Sequence, residues 1–186
     1  MLVCDFRRSA STVSEPFGLQ EMLPSAVEVL QDGAALKFAD WPDGGVPHRV
    51  AGVYTIWRQQ NLLYAGMSGR GARVEHFTVG SDSKAIGLWT RLNSHASGRR
   101  SGDQFNVYIC DRFIVPTLTR DQQQATASGQ LLLDHLTRDF IRQNLTYRYL
   151  VCRDGTEALE IERSVRAGQL PAGRPYLNPL VVEPPA

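Results

Sequence analysis

The sequence predicts a single α/β domain, in which a small mixed or antiparallel β-sheet is flanked by helices. The β-branched and aromatic stretch Gly52–Trp57 and the apolar return stretch Leu62–Gly66 are separated by the polar residues 58–61, which is typical of a hairpin. Later segments repeat apolar residues at helical spacing. The length of 186 residues, with 42% hydrophobic and 21% charged side chains, is that of one globular domain.

Further elements are expected on both sides of the hairpin. Residues 1–16 are polar and rich in serine, which predicts a frayed terminus. The other segments are a short helix over 18–30 that breaks or restarts at Pro24, a short strand over 35–38, a loop over 67–84, a helix over 85–97, an apolar strand over 105–115, a helix over 128–143, a strand over 147–152 and a helix over 156–167. Thr156 is the expected N-cap of the last helix, and Gly168 lies just past its end.

The composition argues against several classes of protein. No apolar run approaches the roughly 20 residues that a membrane-spanning helix needs, and the N-terminus lacks the apolar core of a secretory signal. Cys4, Cys110 and Cys152 are widely spaced and odd in number, which fits neither a disulfide framework nor a zinc site. We therefore expect a cytoplasmic protein with no membrane partner, in which Cys110 and Cys152 are small core residues in strands.

Basic charge is concentrated in the middle of the chain. Residues 1–47 carry three basic and seven acidic side chains, residues 48–120 carry ten and four, and residues 121–186 carry seven and eight. Eighteen of the twenty basic residues are arginine, which suits bidentate phosphate contacts. GC-rich coding explains the same arginine bias equally well. The middle of the chain is a candidate face for a polyanion.

An arginine and a histidine share one face of the helix predicted over 85–97. Arg91 and His95 stand four residues apart, and Leu88 and Leu92 lie on the same face. The plainer interpretation makes His95 a surface or core-edge histidine and Arg91 a solvated charge. The alternative is that both belong to a functional site.

A glutamate lies on the apolar face of the last helix. Ala158, Ile161 and Val165 define that face, and Glu162 falls on it. A buried carboxylate is costly unless it is paired or binds a metal. Two interpretations are equally open: an ion pair with an arginine such as Arg91, or a hard oxygen ligand for a divalent cation such as Mg²⁺.

Five short motifs resemble, in order, those of the GIY-YIG endonuclease superfamily. They are Gly52-Val53-Tyr54, Tyr64-Ala65-Gly66, Arg91 in the helix after the hairpin, Glu162 in a T-E-A-L-x-x-E context, and Asn178 before Pro179. The second motif has alanine where isoleucine or valine is commoner. The match covers residues 48–180, which we take as the nuclease domain. Residues 1–47 then form a partly disordered N-terminal extension with a short helix, and residues 181–186 form a C-terminal tail.

The histidine after the helix arginine narrows the resemblance. His95, four residues after Arg91, is similar to the pattern of the GIY-YIG type II restriction endonucleases that cut GC-rich palindromes. The resemblance implies a GIY-YIG nuclease fold and metal-dependent hydrolysis of phosphodiester bonds in double-stranded DNA. A homodimer is expected if both strands are cut. The alternative is a non-catalytic nucleic-acid-binding module that retains the fold.

The resemblance also implies which residues form the site. The implied catalytic residues are Tyr54, Tyr64, Arg91, His95, Glu162 and Asn178, and the candidate substrate-binding residues are Arg70, Arg73, Arg99 and Arg100. Tyr64 would pack in the site or contact the phosphate. Asn178 would orient the tail strand or the substrate backbone.

The remaining roles concern the chemistry. Glu162 would hold Mg²⁺ or Mn²⁺, and Arg91 would neutralise charge that develops on the phosphoryl oxygens. Tyr54 would help to activate water as a general base, which requires neighbouring positive charge to lower its pKa of about 10. His95 would form a hydrogen bond near Tyr54 or near the attacking water.

Overall fold

A computed structural model of the chain describes residues 19–70 and 87–178. The strands in these ranges are β1 (Leu36–Lys37), β2 (Ala51–Arg58), β3 (Asn61–Ser68) and β4 (Thr146–Cys152). They form one sheet in the order β1-β4-β2-β3, and each of its pairings is antiparallel. The prediction of an α/β domain with a small sheet is confirmed, and the sheet is antiparallel rather than mixed.

Six α-helices lie in the described ranges. They are α1 (Leu19–Asp32), α2 (Leu88–Ala96), α3 (Gln104–Ile109), α4 (Arg120–Ala127), α5 (Leu133–Asn144) and α6 (Gly155–Ala167). α1 continues through Pro24 without the predicted break. Among these helices, none combines the length and the apolarity that crossing a bilayer requires.

β2 and β3 form the predicted hairpin. Gln59 and Gln60 make the turn, and Gln59 adopts a left-handed conformation with φ of +56°. Tyr54 on β2 stands opposite Gly66 on β3, and a register shift follows at Ile56. The two tyrosine–glycine motifs therefore lie side by side in the sheet.

Helices cover both faces of the sheet at β2, and each face has its own apolar core. Every residue of β2 except the last is buried. One core includes Tyr54, Ile56, Leu88, Leu92, Phe105 and Ile141, and the other includes Leu30, Val53, Trp57, Ala158, Ile161 and Val165. Burial on both faces explains why β2 has no alternation of apolar and polar residues.

Residues of the predicted N-terminal extension and residues near the end of the predicted domain also pack into the fold. Phe38 and Val46, which precede the hairpin, belong to the first apolar core. After α6, Tyr176 N donates to Leu62 O at 3.1 Å and Leu177 N donates to Leu63 O at 2.7 Å. Residues 176–177 cover the outer edge of β3, which would otherwise present unpaired backbone groups.

The strand predicted over residues 105–115 is wrong, because this segment is helical. The Asp103 side chain caps α3 by accepting a hydrogen bond from Phe105 N at 3.1 Å. A π-helical turn, Cys110–Ile114, follows directly. A short apolar run does not distinguish a buried strand from a buried helix. Cys110 is therefore buried in a helical turn, whereas Cys152 is buried in a strand as predicted.

The helix predicted over residues 128–143 is shorter in the structure than predicted, and a second helix precedes it. It begins at Leu133, and α4 precedes it with a capping box formed by Thr119 and Gln122. Gly129, with φ of +76°, lies between the two helices. A left-handed glycine is a common helix terminator, which explains why the predicted helix does not start at residue 128.

The last helix starts one residue earlier than predicted. Asp154, rather than Thr156, is its N-cap: Asp154 Oδ1 accepts from Thr156 N and from Glu157 N, each at 3.0 Å. Gly168 ends the helix as predicted, with φ of +94°. The predictions for residues 1–16 and 181–186, for Cys4 and for most of the loop 67–84 lie outside the described residues.

Candidate active site

The two motif tyrosines lie together on one face of the sheet. The ring centroids of Tyr54 and Tyr64 are 6.5 Å apart, and α2 and α3 cover them through His95 and Phe105. The position of Tyr54 depends on Gly66, because a Cβ atom at residue 66 would clash with the Tyr54 hydroxyl and with Cζ. Tyr54 is fully buried, whereas Tyr64 is half-buried.

The Tyr54 hydroxyl is hydrogen-bonded to His95. Its Oη lies 2.7 Å from Nε2 of His95, 41 residues later in the chain. His95 is in the last turn of α2, where it shares the buried face with Leu88 and Leu92. The helical spacing that placed His95 on an apolar face thus delivers its ring to the hairpin, and the ring is fully buried.

The other nitrogen of His95 contacts a carboxylate. His95 Nδ1 lies 2.8 Å from Asp103 Oδ2, which also accepts a hydrogen bond from Ser94 Oγ at 2.6 Å. An ionised carboxylate only accepts hydrogen bonds, so Nδ1 carries the proton and Nε2 accepts from the Tyr54 hydroxyl. The three side chains form one buried chain of hydrogen bonds.

Burial sets the protonation of this chain. It raises the pKa of Tyr54 well above its ordinary value, although the Arg91 guanidinium opposes the shift. Burial also lowers the pKa of His95, against the effect of Asp103. For Asp103 itself, burial favours a higher pKa, but the hydrogen bonds from His95 and Ser94 together with nearby positive charge lower it. At neutral pH Tyr54 and His95 are therefore uncharged and Asp103 is ionised. The lowered pKa expected for a basic Tyr54 does not occur.

Arg91 and Tyr64 occupy the partly accessible side of the cluster. Both side chains are half-buried. Interaction with the Tyr54 hydroxyl raises the pKa of Arg91, so the guanidinium stays charged. Burial raises the pKa of Tyr64, and the negative charges of Asp103 and Glu162 raise it further. A ligand would meet Tyr64 and Arg91 before Tyr54.

Glu162 is buried, as its position on the apolar face of α6 predicts. It is 5% exposed, and its Oε1 accepts a hydrogen bond from Arg166 Nη1 at 3.1 Å. The ion-pair partner is therefore Arg166, one turn further along α6, rather than Arg91. Both interpretations of Glu162 involve a carboxylate held inside the protein, and the contact with Arg166 satisfies one of its oxygens.

The donor chemistry at Glu162 fits a divalent cation. Mg²⁺ prefers oxygen ligands and is usually bound by one or two carboxylates together with waters and substrate phosphates. In the described part of the chain, no three His, Cys, Asp or Glu side chains form a group that would hold a metal. A single carboxylate beside a phosphate is nevertheless a sufficient protein contribution for Mg²⁺.

Asn178 bonds to the backbone of the hairpin. Its Oδ1 accepts from Ala65 N at 2.6 Å, and its Nδ2 donates to Ala65 O at 2.9 Å. One side chain thus satisfies both backbone groups of the middle residue of the second motif. Of the two roles considered for Asn178, orientation of the tail against β3 matches these contacts.

The four candidate substrate-binding arginines have different surroundings. Arg70 follows β3 and is exposed, and Arg99 is exposed in the loop between α2 and α3. Arg100 in the same loop forms an ion pair with Asp134, with Nε and Oδ1 2.7 Å apart. Arg73 lies outside the described residues. The structure therefore brings Tyr54, Tyr64, Arg91 and His95 together, with Glu162 close enough to influence Tyr64.

Asp103 is the residue of this cluster that the sequence analysis missed. An aspartate two residues before the apolar run beginning at Phe105 is a typical N-cap signal. The strand interpretation of residues 105–115 obscured it. The contact with His95 depends on how α2 and α3 pack together, so sequence spacing alone does not reveal it.

No protein-family model, curated protein or solved structure matches this chain. The resemblance to the GIY-YIG endonucleases therefore depends on the order of the motifs.

Proposed function

We propose that this chain is a metal-dependent endonuclease of the GIY-YIG type that hydrolyses phosphodiester bonds in DNA. The observation that best supports the proposal is the 2.7 Å hydrogen bond between Tyr54 Oη and His95 Nε2. It pairs a phenol with a neutral imidazole next to a charged arginine, inside a buried cluster. General acid–base catalysis needs a side chain within hydrogen-bond reach of the group that takes its proton, and Tyr54 and His95 have that geometry.

Tyr54 and His95 would together activate the attacking water. Because burial raises the pKa of Tyr54, Tyr54 cannot act as a preformed phenolate at neutral pH. Instead, Tyr54 Oη would take a proton from water while its own proton moves to His95 Nε2. The water oxygen bonds to phosphorus, the bond from phosphorus to the leaving oxygen breaks, and that oxygen takes a proton from solvent. His95 Nε2 later returns its proton to Tyr54 Oη, while Tyr54 releases to solvent the proton that it took from water.

Arg91 and Tyr64 would contact the scissile phosphate. Arg91 keeps its charge at all physiological pH values and is half-buried, where a charge interacts strongly with the developing negative charge. Tyr64 has a raised pKa and so keeps its proton, which it can donate to a phosphate oxygen. Both residues lie on the accessible side of Tyr54.

Glu162 would hold Mg²⁺ or Mn²⁺ at this site. When bound, such a cation stabilises charge on the scissile phosphate and on the leaving oxygen. Arg166 holds Glu162 Oε1, which orients the carboxylate toward one defined geometry. Arg70 and Arg99 are exposed and would contact the DNA backbone further away, and cutting both strands would require two copies of the chain.

The proposal is tested with supercoiled plasmid DNA and Mg²⁺ or Mn²⁺. We expect the wild-type protein to cleave the plasmid and Glu162→Gln to lose cleavage while it stays folded. Glu160→Gln is the matched control, because Glu160 lies on the same helix but, unlike Glu162, is not among its buried residues. Cleavage by the control together with loss in Glu162→Gln supports Glu162 as the metal ligand.

The cleavage products distinguish a sequence-specific nuclease from a less specific one. Discrete linear fragments indicate a sequence-specific restriction-like enzyme, and nicked circles or a smear indicate a less specific nuclease. If the wild-type protein binds the plasmid but leaves it intact, the nuclease proposal is overturned. The result would favour a non-catalytic nucleic-acid-binding module. Cleavage that Glu162→Gln retains would exclude Glu162 as the ligand.

A further inference from the structure

We propose that Asp103 is a positioning residue: it holds His95 in the tautomer that leaves Nε2 free to receive the Tyr54 proton. The inference deepens the proposed nuclease function and depends on it for its catalytic meaning. Asp103 acts through His95 and does not contact the substrate.

The geometry assigns each atom of the Asp103 carboxylate. Oδ2 lies 2.8 Å from His95 Nδ1 and accepts from Ser94 Oγ at 2.6 Å, while Oδ1 lies 3.0 Å from the same Nδ1 and accepts from Phe105 N at 3.1 Å. Asp103 is 3% exposed and His95 is fully buried. Solvent therefore does not compete for these contacts, and the imidazole has one favourable orientation.

Helix capping alone does not explain a carboxylate at residue 103. Asparagine and serine cap helices about as well as aspartate, and neither carries a buried charge that costs free energy. The contact with His95 Nδ1 is the one that becomes an ion pair when His95 takes a proton. The charge at residue 103 therefore serves the histidine more than the helix.

The groups that face His95 show why a negative charge is needed there. Arg91 of the same helix disfavours a positive imidazole, and the neutral hydroxyl of Tyr54 on β2 supplies no compensating charge. The ring of Tyr64 on β3 packs against the imidazole in a T-shaped arrangement, at a centroid distance of 5.8 Å. Asp103 is thus the charged group that favours protonation of His95. It lets His95 accept the Tyr54 proton despite burial and despite Arg91.

The tautomer of the wild-type protein provides the first test. Long-range proton–nitrogen correlation NMR distinguishes a proton on His95 Nδ1 from one on Nε2. We expect Nδ1–H near neutral pH. A proton on Nε2 in the wild-type protein would overturn the proposal without any variant and without any activity measurement.

The variant Asp103→Asn provides the second test. The amide keeps an oxygen for the Phe105 cap but offers an N–H to His95 Nδ1, so we expect the proton to move to Nε2. Asp154→Asn is the matched control, because Asp154 also caps a helix but lies outside the site. We expect Asp103→Asn to lower kcat by about 10²- to 10⁴-fold with little change in KM, and the control to change neither.

The outcomes separate this proposal from the nuclease itself. If the wild-type protein is active and Asp103→Asn changes neither kcat nor the His95 tautomer, the positioning role of Asp103 is overturned. The proposed nuclease function would still stand. A wild-type protein without nuclease activity would overturn the proposed function, and the tautomer would still decide whether Asp103 orients His95. If Asp103→Asn does not fold, the wild-type tautomer decides the question.

Discussion

Gly66 on β3 leaves the space that the Tyr54 hydroxyl occupies on β2. The two residues are register partners in the hairpin, and any Cβ atom at residue 66 would coincide with the end of the phenol ring. The glycine of the second motif and the tyrosine of the first are therefore one structural unit. The hydrogen bond from Tyr54 to His95 requires a residue without a side chain at position 66.

We expect Gly66→Ala to destabilise the protein by about 1–3 kcal/mol, as overpacking of a buried site does. The methyl group must displace the Tyr54 ring, which is fully buried and has little room to move. Urea denaturation measures the change. Gly44→Ala is the control, because a Cβ there has no atom within 4 Å. Equal stability of the two variants would contradict the steric argument.

We expect Tyr54→Phe to reduce the free energy of unfolding by about 1–3 kcal/mol, because it leaves His95 Nε2 buried without its donor. Under the proposed function it also abolishes cleavage. Tyr176→Phe is the matched control: Tyr176 is 63% exposed, so its stability should change by less than about 0.5 kcal/mol. Denaturant titration of both variants checks the stability. A Tyr54→Phe variant as stable as wild type would argue against the bond to His95.

We expect Asn178→Asp to be more harmful than its small size change suggests. The carboxylate keeps an acceptor for Ala65 N but places its second oxygen against Ala65 O, where Asn178 donates. Hydrogen exchange at the Ala65 amide measures the effect, and faster exchange is expected. Asn144→Asp is the control, because Asn144 donates to Phe140 O on the exposed surface of α5. Unchanged exchange in Asn178→Asp would show that the tail does not need the amide.

Stability should also decrease in mild acid because of His95. The pKa of His95 is lowered in the folded state. At pH values between this folded-state pKa and the unfolded-state pKa of about 6.5, the unfolded chain therefore binds more protons than the folded protein does. The contribution is complete above about pH 6.5 and is lost as the pH falls toward the folded value, with a slope of at most about 1.4 kcal/mol per pH unit. Denaturation is measured at several pH values. The free energy of unfolding should depend less on pH in His95→Gln than in His135→Gln, which changes an exposed histidine. Equal slopes would refute the prediction.

The sequence predicted best those features that depend on residues close together in the chain. The hairpin and the buried face of α2 depend on short-range patterns, and both are present in the structure. The strand predicted over 105–115 failed because a short apolar run is compatible with either a strand or a helix. For Glu162, the sequence indicated burial correctly and left an ion pair with an arginine such as Arg91 open, whereas the arginine that pairs with it is Arg166, one helical turn away on the same helix.

The sequence by itself placed His95 and Glu162 on apolar helix faces, because residues three and four apart share one face of a helix, and it placed Tyr54 in an apolar strand of the hairpin. Only the tertiary structure decided which of these residues meet. The contact between Tyr54 and His95 requires α2 to lie across the hairpin, and the contact between His95 and Asp103 requires α3 to begin beside the end of α2. The raised pKa of Tyr54 has the same origin, because desolvation depends on every element that surrounds the hydroxyl.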